Sequence, residues 1–396
     1  MADDRILIAG GGIGGLAAAL GLARKGFKTL VMEQMPKLKE IGAGIQLGPN
    51  AFHSFDYFGI GDAAREKAVF IDKLVVMDAM EDAPIMDLPL DEAFRTRFRN
   101  PYAVVHRADL HTLLLDACEA SGLVDIKVNA HVTGFEQNGI SATALLENGE
   151  QVSGTALIGA DGLRSAVRAQ IIGDGEPRIS GHTTYRAVIE TERMPEELRW
   201  NAATLWAGPK IHIVHYPLKG GKVINLVATR DTGTPEALAG KPVSKDEVHA
   251  AFAHVCERAQ AIIASGDKWR AWVLCDRDPN GNWTQGRATL LGDAAHPMLQ
   301  YFAQGACMAM EDAVCLAHAM EHHDGQIEPA LETYNTQRAV RTARLQMKSR
   351  LIGEYIYHPE GVQAQVRNTI MRSFSVEEYY NRFEWLYGGN GLESSH

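Results

Sequence analysis

The stretch Arg5-Ile-Leu-Ile-Ala-Gly-Gly-Gly-Ile-Gly-Gly-Leu-Ala-Ala-Ala-Leu20 decides the fold. Its first five residues predict a short buried strand, Gly10, Gly12 and Gly15 predict a tight turn, and residues 13–25 predict a helix. The first glycine permits the turn, the second lets a pyrophosphate approach the backbone, and the third lets helix and strand pack closely. The pattern therefore predicts an anion site on the free N–H groups of the helix N-terminus.

Glu33 stands at the end of a second predicted strand, over residues 27–32. A carboxylate at this place can accept hydrogen bonds from both hydroxyls of an adenosine ribose. It suits an unphosphorylated ribose, as in FAD or NAD. Because strand, helix and acid are in register, the context favours a dinucleotide site over an ordinary glycine turn.

The composition is that of a globular protein with room for two domains. The 396 residues are 46% hydrophobic and 22% charged, and the net charge of -10 is spread along the chain. This acidic balance, without a basic block, argues against a nucleic-acid partner. Acids follow Met1 where a signal peptide carries positive charge, and no apolar run is long enough to span a bilayer. We therefore expect a cytoplasmic protein without a membrane span.

Cysteine and histidine spacing gives no reason to expect a metal. The five cysteines are scattered, and none forms a Cys-x-x-Cys pair. His318, His322 and His323 lie close to Glu321 and could in principle hold a metal on a helix face. A solvated helix end that complements the helix dipole is the favoured interpretation.

A second glycine-rich segment, residues 42–51, includes Ala43 and Gly44. It has too many glycines for a regular element. A close approach to a planar ligand and an ordinary long loop explain it equally well. Beyond it we expect one helix over residues 52–68 and an excursion into strand over 74–88.

Three later helix starts also carry candidate ligand-binding residues. Arg107 heads an amphipathic helix, where the helix dipole disfavours a cation, so a phosphate or ribose contact is favoured over a solvated arginine. Asp161 follows a buried strand at a glycine turn, which suits a polar ligand. Asp293 ends another strand, and Gly305 precedes a helix predicted from residue 307 to about 321, whose N–H groups face a second electron-rich group.

Residues 183–277 predict a second domain built on a largely antiparallel sheet. One helix is expected near residues 245–265. In the strand that begins at Ile211, alternation places His212, Val214 and Tyr216 on one face. By alternation alone, this is a half-buried sheet face whose polar tips bond water or backbone.

Three motifs, in this order, resemble the FAD-dependent aromatic hydroxylases, the para-hydroxybenzoate hydroxylase-like flavoproteins. They are Gly10-x-Gly12-x-x-Gly15 with Glu33, Gly159-Ala-Asp161-Gly162-x-x-Ser165-x-x-Arg168, and Leu291-Gly292-Asp293-Ala-Ala-His296-Pro297. The resemblance covers nearly the whole chain, and the three motifs together are highly specific.

The resemblance implies a tightly but non-covalently bound FAD. Asp161 would couple FAD and nicotinamide binding, Asp293 would hydrogen-bond the ribityl chain, and Cys307 stands where the family commonly has asparagine. The FAD contacts expected on these grounds are Gly10, Gly12, Ile13, Gly14, Gly15, Glu33, Ala43, Gly44, Arg107, Asp161, Asp293, Gly305 and Ala306.

The resemblance also implies a monooxygenase. NADH, bound transiently, would reduce FAD; dioxygen would add at flavin C4a; and the hydroperoxide would hydroxylate a small activated phenol. The strand around His212, Gln300 and the tail Tyr357-His-Pro-Glu-Gly361 are most similar to the branch that converts 3-hydroxybenzoate to 2,5-dihydroxybenzoate. Salicylate and 6-hydroxynicotinate hydroxylases share much of the same frame.

With the resemblance, the face of His212 becomes the expected substrate site. His212, with a pKa near the reference value of about 6.5, would accept the phenol proton. Tyr216 would bind substrate, and Gln300 would reach it from the flavin side. An NAD-dependent dehydrogenase would leave the Asp161 and Asp293 motifs unexplained, and a non-catalytic FAD sensor is the remaining alternative.

The predicted fold class is α/β, with a Rossmann-like FAD-binding domain, a largely antiparallel substrate domain and a C-terminal helical segment. Nothing in the tail, residues 355–396, indicates chemistry. The tail is long enough to pack over the domain junction or a partner subunit, and a homodimer is expected. The FAD-binding domain is assigned to residues 1–72, 100–182 and 278–330, the substrate domain to 73–99 and 183–277, and the helical segment to 331–396.

Overall fold

The computed structural model describes residues 4–38 and 43–388. Three parts of the chain that the sequence analysis used lie outside these residues. They are Asp3 near the N-terminus, Gly42 of the second glycine-rich segment, and residues 389–396 of the tail. The strands are, in chain order, Ile6–Ala9 (β1), Thr29–Met32 (β2), Gly44–Leu47 (β3), Val69–Phe70 (β4), Lys73–Asp78 (β5), Ala83–Pro89 (β6), Ala103–His106 (β7), Val124–Lys127 (β8), Val132–Gln137 (β9), Ala142–Leu146 (β10), Gln151–Gly154 (β11), Ala156–Gly159 (β12), Arg178–Glu190 (β13), Ala202–Gly208 (β14), Ile211–Leu218 (β15), Val223–Asp231 (β16), Lys241–Pro242 (β17), Arg270–Asp276 (β18), Thr284–Gln285 (β19) and Ala288–Leu290 (β20).

The helices complete the description. The α-helices are Ile13–Ala23 (α1), Pro49–Phe58 (α2), Gly61–Lys67 (α3), Glu92–Phe98 (α4), Arg107–Ser121 (α5), Ala166–Ile171 (α6), Lys245–Ala251 (α7), Glu257–Ser265 (α8), Gly305–His322 (α9), Ile327–Ile352 (α10), Gly361–Ser373 (α11) and Val376–Tyr387 (α12). Short 3₁₀ turns at Gly292–Ala294 and Gln300–Phe302, and a π-helical turn at Gly353–Tyr357, matter for the site.

The N-terminal stretch forms the centre of a six-stranded sheet in the order β19-β20-β12-β1-β2-β8. Strands β20, β12, β1, β2 and β8 run parallel, and β19 pairs antiparallel to β20. All four residues of β1 are buried, as a central parallel strand requires. Because the carboxyl ends of parallel strands meet at one edge, the turn after β1 and Glu33 after β2 lie side by side. The predicted strand, turn, helix and strand are confirmed.

The second large sheet has eight strands in the order β17-β18-β13-β16-β15-β14-β5-β6, and β14 and β5 form its parallel pair. Its strands come from Lys73–Pro89 and Arg178–Asp276. The predicted fold class, with a Rossmann-like sheet, a largely antiparallel sheet and C-terminal helices, is confirmed. The assignment of residue ranges to domains stays a prediction.

Two of the predicted helices are wrong in their extent. The helix expected over residues 52–68 is divided into α2 and α3, because Gly59 takes a left-handed conformation with φ of 75° and ends α2. The helix expected near residues 245–265 is divided into α7 and α8. Between them, Phe252 and Val255 are buried in the core beneath the eight-stranded sheet.

A group of fully buried charges, the buried ion cluster, joins α9 to α10. It consists of Glu311, Asp312, Arg338 and Arg341. Arg338 donates to Glu311 and to Asp312 at 2.7 Å each, and Arg341 donates to Glu311 at 2.7 and 2.9 Å. Asp312 also accepts from Nε2 of His296 at 2.5 Å.

Burial alone would raise the pKa of both carboxyl groups. The groups that donate to them outweigh it: His296 and Arg338 lower the pKa of Asp312 to about 2, and Arg341 and Arg338 lower the pKa of Glu311. Both residues are therefore ionised, and each cation is needed to compensate a buried anion.

Arg338→Met should leave Glu311 and Asp312 buried with too little positive charge. We expect the free energy of unfolding to fall by about 3–5 kcal/mol, the usual cost of removing one partner from a buried ion pair. Urea unfolding of the purified protein, followed by tryptophan fluorescence, measures the change. Arg95→Met, an exposed arginine on α4, is the matched control. Equal stability of the two variants would contradict the importance assigned to the cluster.

Candidate active site

Two helix N-termini open onto one cavity of about 1280 Å³. Helix α1 begins after Gly12 and α9 after Gln304, and neither N-cap residue provides a side-chain hydrogen bond to the helix. Their first N–H groups therefore remain available to an anion or a carbonyl oxygen. Gly12, Ile13, Gly14, Gly305 and Ala306 line the cavity, as expected.

The glycines behind this surface are required by close packing. Gly10 has φ of 101°, and a Cβ atom there would lie 2.4 Å from the carbonyl oxygen of Ala160. A Cβ atom on Gly15 would lie 1.9 Å from the carbonyl oxygen of Gly10. Side chains at these two positions would push α1 away from the sheet and the turn away from a ligand. Gly10 and Gly15 shape the wall without lining the cavity.

Glu33 is held beside the turn that Gly10 begins. Its Oε2 accepts from the backbone N–H of Gly11 at 2.8 Å, and its Oε1 accepts from the backbone N–H of Met35 at 2.9 Å. Each carboxylate oxygen has a further lone pair, so the group can still accept hydrogen bonds from two hydroxyls. The position matches the predicted ribose acceptor.

Arg107, Gly44 and Asp293 also line the cavity. Asp293 is exposed and sits on the turn that follows β20, facing the start of α9. Ala43 does not line the cavity; its carbonyl oxygen accepts from the backbone N–H of Arg107 at 3.2 Å, which ties the second glycine-rich segment to α5.

Asp161 lies outside the cavity wall, although its neighbours Ala160 and Gly162 line it. Its carboxylate accepts from the hydroxyl of Ser165 at 2.5 Å and from the backbone N–H of Ala166 at 2.8 Å. Burial raises the pKa of Asp161 despite these bonds. In this structure the carboxylate stabilises the start of α6, and a contact with a nucleotide stays a prediction.

His212, Val214 and Tyr216 face the cavity from β15, as the alternation of the strand predicted. Tyr216 explains the small residue opposite it, because a Cβ atom on Gly44 would lie 2.6 Å from the tyrosine ring. Gln300 lies on the turn after the Asp293 stretch and lines the same cavity. The structure therefore brings the three predicted substrate residues together.

The expected ordinary pKa of His212 is wrong for this structure. The side chain is 1% exposed, and burial, with smaller contributions from His358 and His182, lowers its pKa well below 6.5. The imidazole is therefore neutral at physiological pH. It can accept a proton but cannot hold it as a stable cation in this environment.

Arg186, which sequence reasoning missed, lines the cavity from β13. It donates to Oε1 of Gln300 at 2.8 Å and lies over the ring of Trp272, 5.5 Å from its centroid. Its buried Nε has no hydrogen-bond partner in the part of the chain that the structure describes, and burial lowers the pKa of the guanidinium. No carboxylate of residues 4–38 or 43–388 pairs with it. A guanidinium in this condition is a receptor for an anion.

The tail also contributes to the site, contrary to expectation. Tyr357, Trp385 and Tyr387 line the cavity. His358 forms a hydrogen bond to His212, with 2.7 Å between its Nε2 and Nδ1 of His212. In the sequence, Tyr357 and His358 stood out only because the tail resembles one branch of the family. Nothing in their spacing indicates a partner in β15.

Cys307 and His318 make structural contacts. The thiol of Cys307 is buried, which raises its pKa to about 12, and it contacts the carbonyl oxygen of Gln46 at 4.0 Å. His318 packs against the ring of Tyr57 and lies 3.7 Å from Glu321.

Among the described residues, no group of three or more His, Cys, Asp or Glu side chains is arranged to hold a metal ion. Within the same residues, no helix has the length and apolar character that crossing a membrane demands.

Comparison with known proteins decides the family. The family model described as "FAD binding domain" matches residues 3–386. The chain belongs to this family of FAD-dependent aromatic hydroxylases. It is 53% identical to 3-hydroxybenzoate 6-hydroxylase 1 of Aquipseudomonas alcaligenes, over 98% of this chain and 99% of that one. It is 48% identical to 3-hydroxybenzoate 6-hydroxylase of Polaromonas naphthalenivorans (strain CJ2), over 98% and 97% of the two chains.

A solved structure of another FAD-binding protein has the same fold. Klebsiella pneumoniae HpxO, in complex with FAD and uric acid, is 26% identical and superposes with a TM-score of 0.84 over 97% of both chains. FAD is the cofactor of this flavoprotein family, as predicted from the three motifs.

The residues of this chain fit FAD. The two open helix N-termini suit a pyrophosphate and a flavin carbonyl, Glu33 suits the adenosine ribose, and Asp293 suits a hydroxyl of the ribityl chain. The cavity is larger than the roughly 300–1,000 Å³ of a site for one small molecule, and so has room for a second ligand beside the cofactor. The individual contacts stay predictions, as does the tightness of binding.

Glu33→Gln and Asp293→Ala should each weaken FAD binding by about 10- to 100-fold, the scale of one lost hydrogen bond to a charged group. The dissociation constant is measured by titrating flavin-free protein with FAD and following the flavin fluorescence. Glu136→Gln, which neutralises an exposed acid on β9, is the control. Affinities equal to the control for both variants would contradict the assigned contacts.

Proposed function

We propose that the protein is an NADH-dependent flavin monooxygenase that converts 3-hydroxybenzoate to 2,5-dihydroxybenzoate. The reaction consumes one substrate, one NADH, one proton and one dioxygen, and yields the dihydroxybenzoate, NAD⁺ and water. The observation that carries the proposal is a cavity wall that presents both a neutral imidazole, His212, and a guanidinium, Arg186, with which no carboxylate of the described residues pairs. A hydroxybenzoate has a phenol that suits the imidazole and a carboxylate that suits the guanidinium.

The register of the sheet gives this wall its geometry. Thr184, Thr229 and His212 are cross-strand neighbours, and Arg186 lies two residues further along β13. Strand spacing separates the backbones of β13 and β15 by about 10 Å. Because the side chains of Arg186 and His212 reach inward, the distance between their polar ends is shorter and suits the length of a substituted benzene ring. His212 is assigned to the phenol, and Arg186, with Gln300, is assigned to the carboxylate.

These residues direct the reaction by position. When bound, FAD supplies the transfer of electrons from NADH and the activation of dioxygen. His212 accepts the phenol proton, and the resulting phenolate activates the ring carbons ortho and para to the oxygen. The ion pair between Arg186 and the carboxylate fixes which of these carbons faces the flavin. Tyr216 and Gly44 close the opposite side of the ring and limit water.

The named relatives support this substrate over salicylate and 6-hydroxynicotinate, which remain the alternatives. A homodimer, a cytoplasmic location and the preference for NADH over NADPH are further parts of the proposal. The long α12 packs against α4 and β6 of its own chain, and its exposed face is free for other contacts.

The purified yellow protein should oxidise NADH faster when 3-hydroxybenzoate is added, and should form 2,5-dihydroxybenzoate. Product regiochemistry is read by NMR. His212→Ala should retain FAD and form product about a hundredfold more slowly, the usual scale for a lost general base. Catechol formed from salicylate, with no turnover of 3-hydroxybenzoate, would move the protein to the salicylate branch.

Arg186→Met should discriminate between a charged and a neutral substrate analogue. We expect the dissociation constant for 3-hydroxybenzoate to rise about 10- to 100-fold, and that for 3-hydroxybenzamide to change far less, since the amide lacks the charge. Both are measured from the change in flavin absorbance. Arg230→Met on the adjacent strand β16 is the matched control. Equal losses for the two ligands would contradict a carboxylate contact.

A further inference from the structure

Three imidazoles from separate parts of the chain meet behind the phenol end of the cavity. They are His212 on β15, His182 on β13, and His358, which follows the π-helical turn of the tail. The rings of His212 and His358 stack with 5.0 Å between centroids and an angle of 27°. His182 lies edge-on to His358 at 4.8 Å, and its Nδ1 bonds the hydroxyl of Tyr301. This group is the histidine cluster.

The proposed reaction requires one direction of the hydrogen bond between His212 and His358. Nδ1 of His212 lies 2.7 Å from Nε2 of His358, so Nε2 of His212 is the nitrogen left for a ligand in the cavity. For that nitrogen to accept a proton from a phenol, Nδ1 must carry hydrogen and donate it to His358. His358 can accept this hydrogen bond at its Nε2, which would stabilise the tautomer of His212 that the reaction needs.

Both rings lie where a lasting positive charge is costly. Burial lowers the pKa of His358 to about 3 and the pKa of His212 well below 6.5, and the neighbouring histidines lower both further. Among the described residues, no carboxylate bonds either ring. A proton that reaches His212 must therefore be passed on if the phenolate is to persist.

The two rings differ in access to solvent, and this gives the transfer an exit. His212 is 1% exposed, whereas His358 is 8% exposed. The backbone of His358 is fixed at both ends, because its N–H donates to the carbonyl oxygen of Gly353 and its carbonyl oxygen accepts from the N–H of Lys210. Lys210 immediately precedes β15, so the tail is fastened to the strand that carries His212.

We propose that His358 and His212 form a two-imidazole relay that carries the phenol proton of the bound aromatic acid from the cavity to solvent. The O–H bond of the substrate breaks, and its proton goes to Nε2 of His212. The proton on Nδ1 of His212 passes to Nε2 of His358, and the proton on Nδ1 of His358 leaves to water. Each ring gains one proton and loses one, so neither holds a charge afterwards. The reverse transfer returns a proton to the product phenolate and restores both tautomers.

The relay rests on the proposed function, and its test does not require turnover. FAD-bound enzyme without NADH is mixed with 3-hydroxybenzoate in a weakly buffered solution that contains a pH indicator. Stopped-flow absorbance then reports proton release and formation of the bound phenolate. His358→Gln keeps a polar side chain but cannot relay, and should slow both signals by about tenfold or more while FAD content and substrate affinity stay close to wild type. Added imidazole should restore the rate in His358→Ala.

His182→Gln is the matched control, because it removes one imidazole of the same cluster without touching the hydrogen bond to His212. Its rate of proton release should equal that of wild type. An unchanged rate in His358→Gln, or a loss as large in the control, would overturn the relay. If the His358 variants fail to fold, proton release by wild type in mixtures of H₂O and D₂O decides: a curved dependence on deuterium fraction supports two protons in motion, and a linear one overturns the relay.

The outcomes separate the relay from the proposed function. Binding and hydroxylation of 3-hydroxybenzoate by wild type, without proton release on binding, would overturn the relay and leave the proposed function standing. Absence of both binding and hydroxylation would overturn the proposed function, and the relay with it.

Discussion

The buried ion cluster is the interaction on which the site depends. Charges cannot be left uncompensated in an interior, so α9 and α10 must keep one relative position for all of its hydrogen bonds to form. The same cluster reaches the cofactor side, because Asp312 accepts from the backbone N–H of Gly292, one residue before Asp293. Arg341 extends it in the other direction by donating to the carbonyl oxygens of Trp385 and Leu386. One set of charges thus positions the Asp293 side of the cavity and α12 together.

Most of the cofactor half could be predicted from sequence, because its determinants are local. Gly10 needs a positive φ, Gly15 leaves no room for a Cβ atom, and Glu33 follows its strand directly. These requirements are met within one unit of strand, turn, helix and strand, so a short pattern records them. The alternation of β15 was equally local, and it placed His212 and Tyr216 on the correct face.

The substrate half could be predicted only in part, since tertiary packing creates it. Arg186 has no signature as a receptor until β13 brings it against Gln300 and Trp272, and the lowered pKa of His212 depends on burial that no pattern records. His358 lies far from β15 in the chain, and sequence reasoning gave the tail no chemistry. Asp161 accepts hydrogen bonds from Ser165 and Ala166 at the start of α6, a local contact that the motif did not indicate, and its coupling of FAD and nicotinamide binding stays a prediction.

The walls of the cavity come from both ends of the described chain. Gly12 and Ile13 stand at its beginning, and Trp385 and Tyr387 stand near its close. During synthesis the six-stranded sheet is complete only after β20 has been made, and the cavity is enclosed only after α12 has left the ribosome. A nascent chain can therefore offer FAD only an open groove. A chain cut short before α12 would keep the glycine turn after β1 yet lack the cavity wall that Trp385 and Tyr387 form.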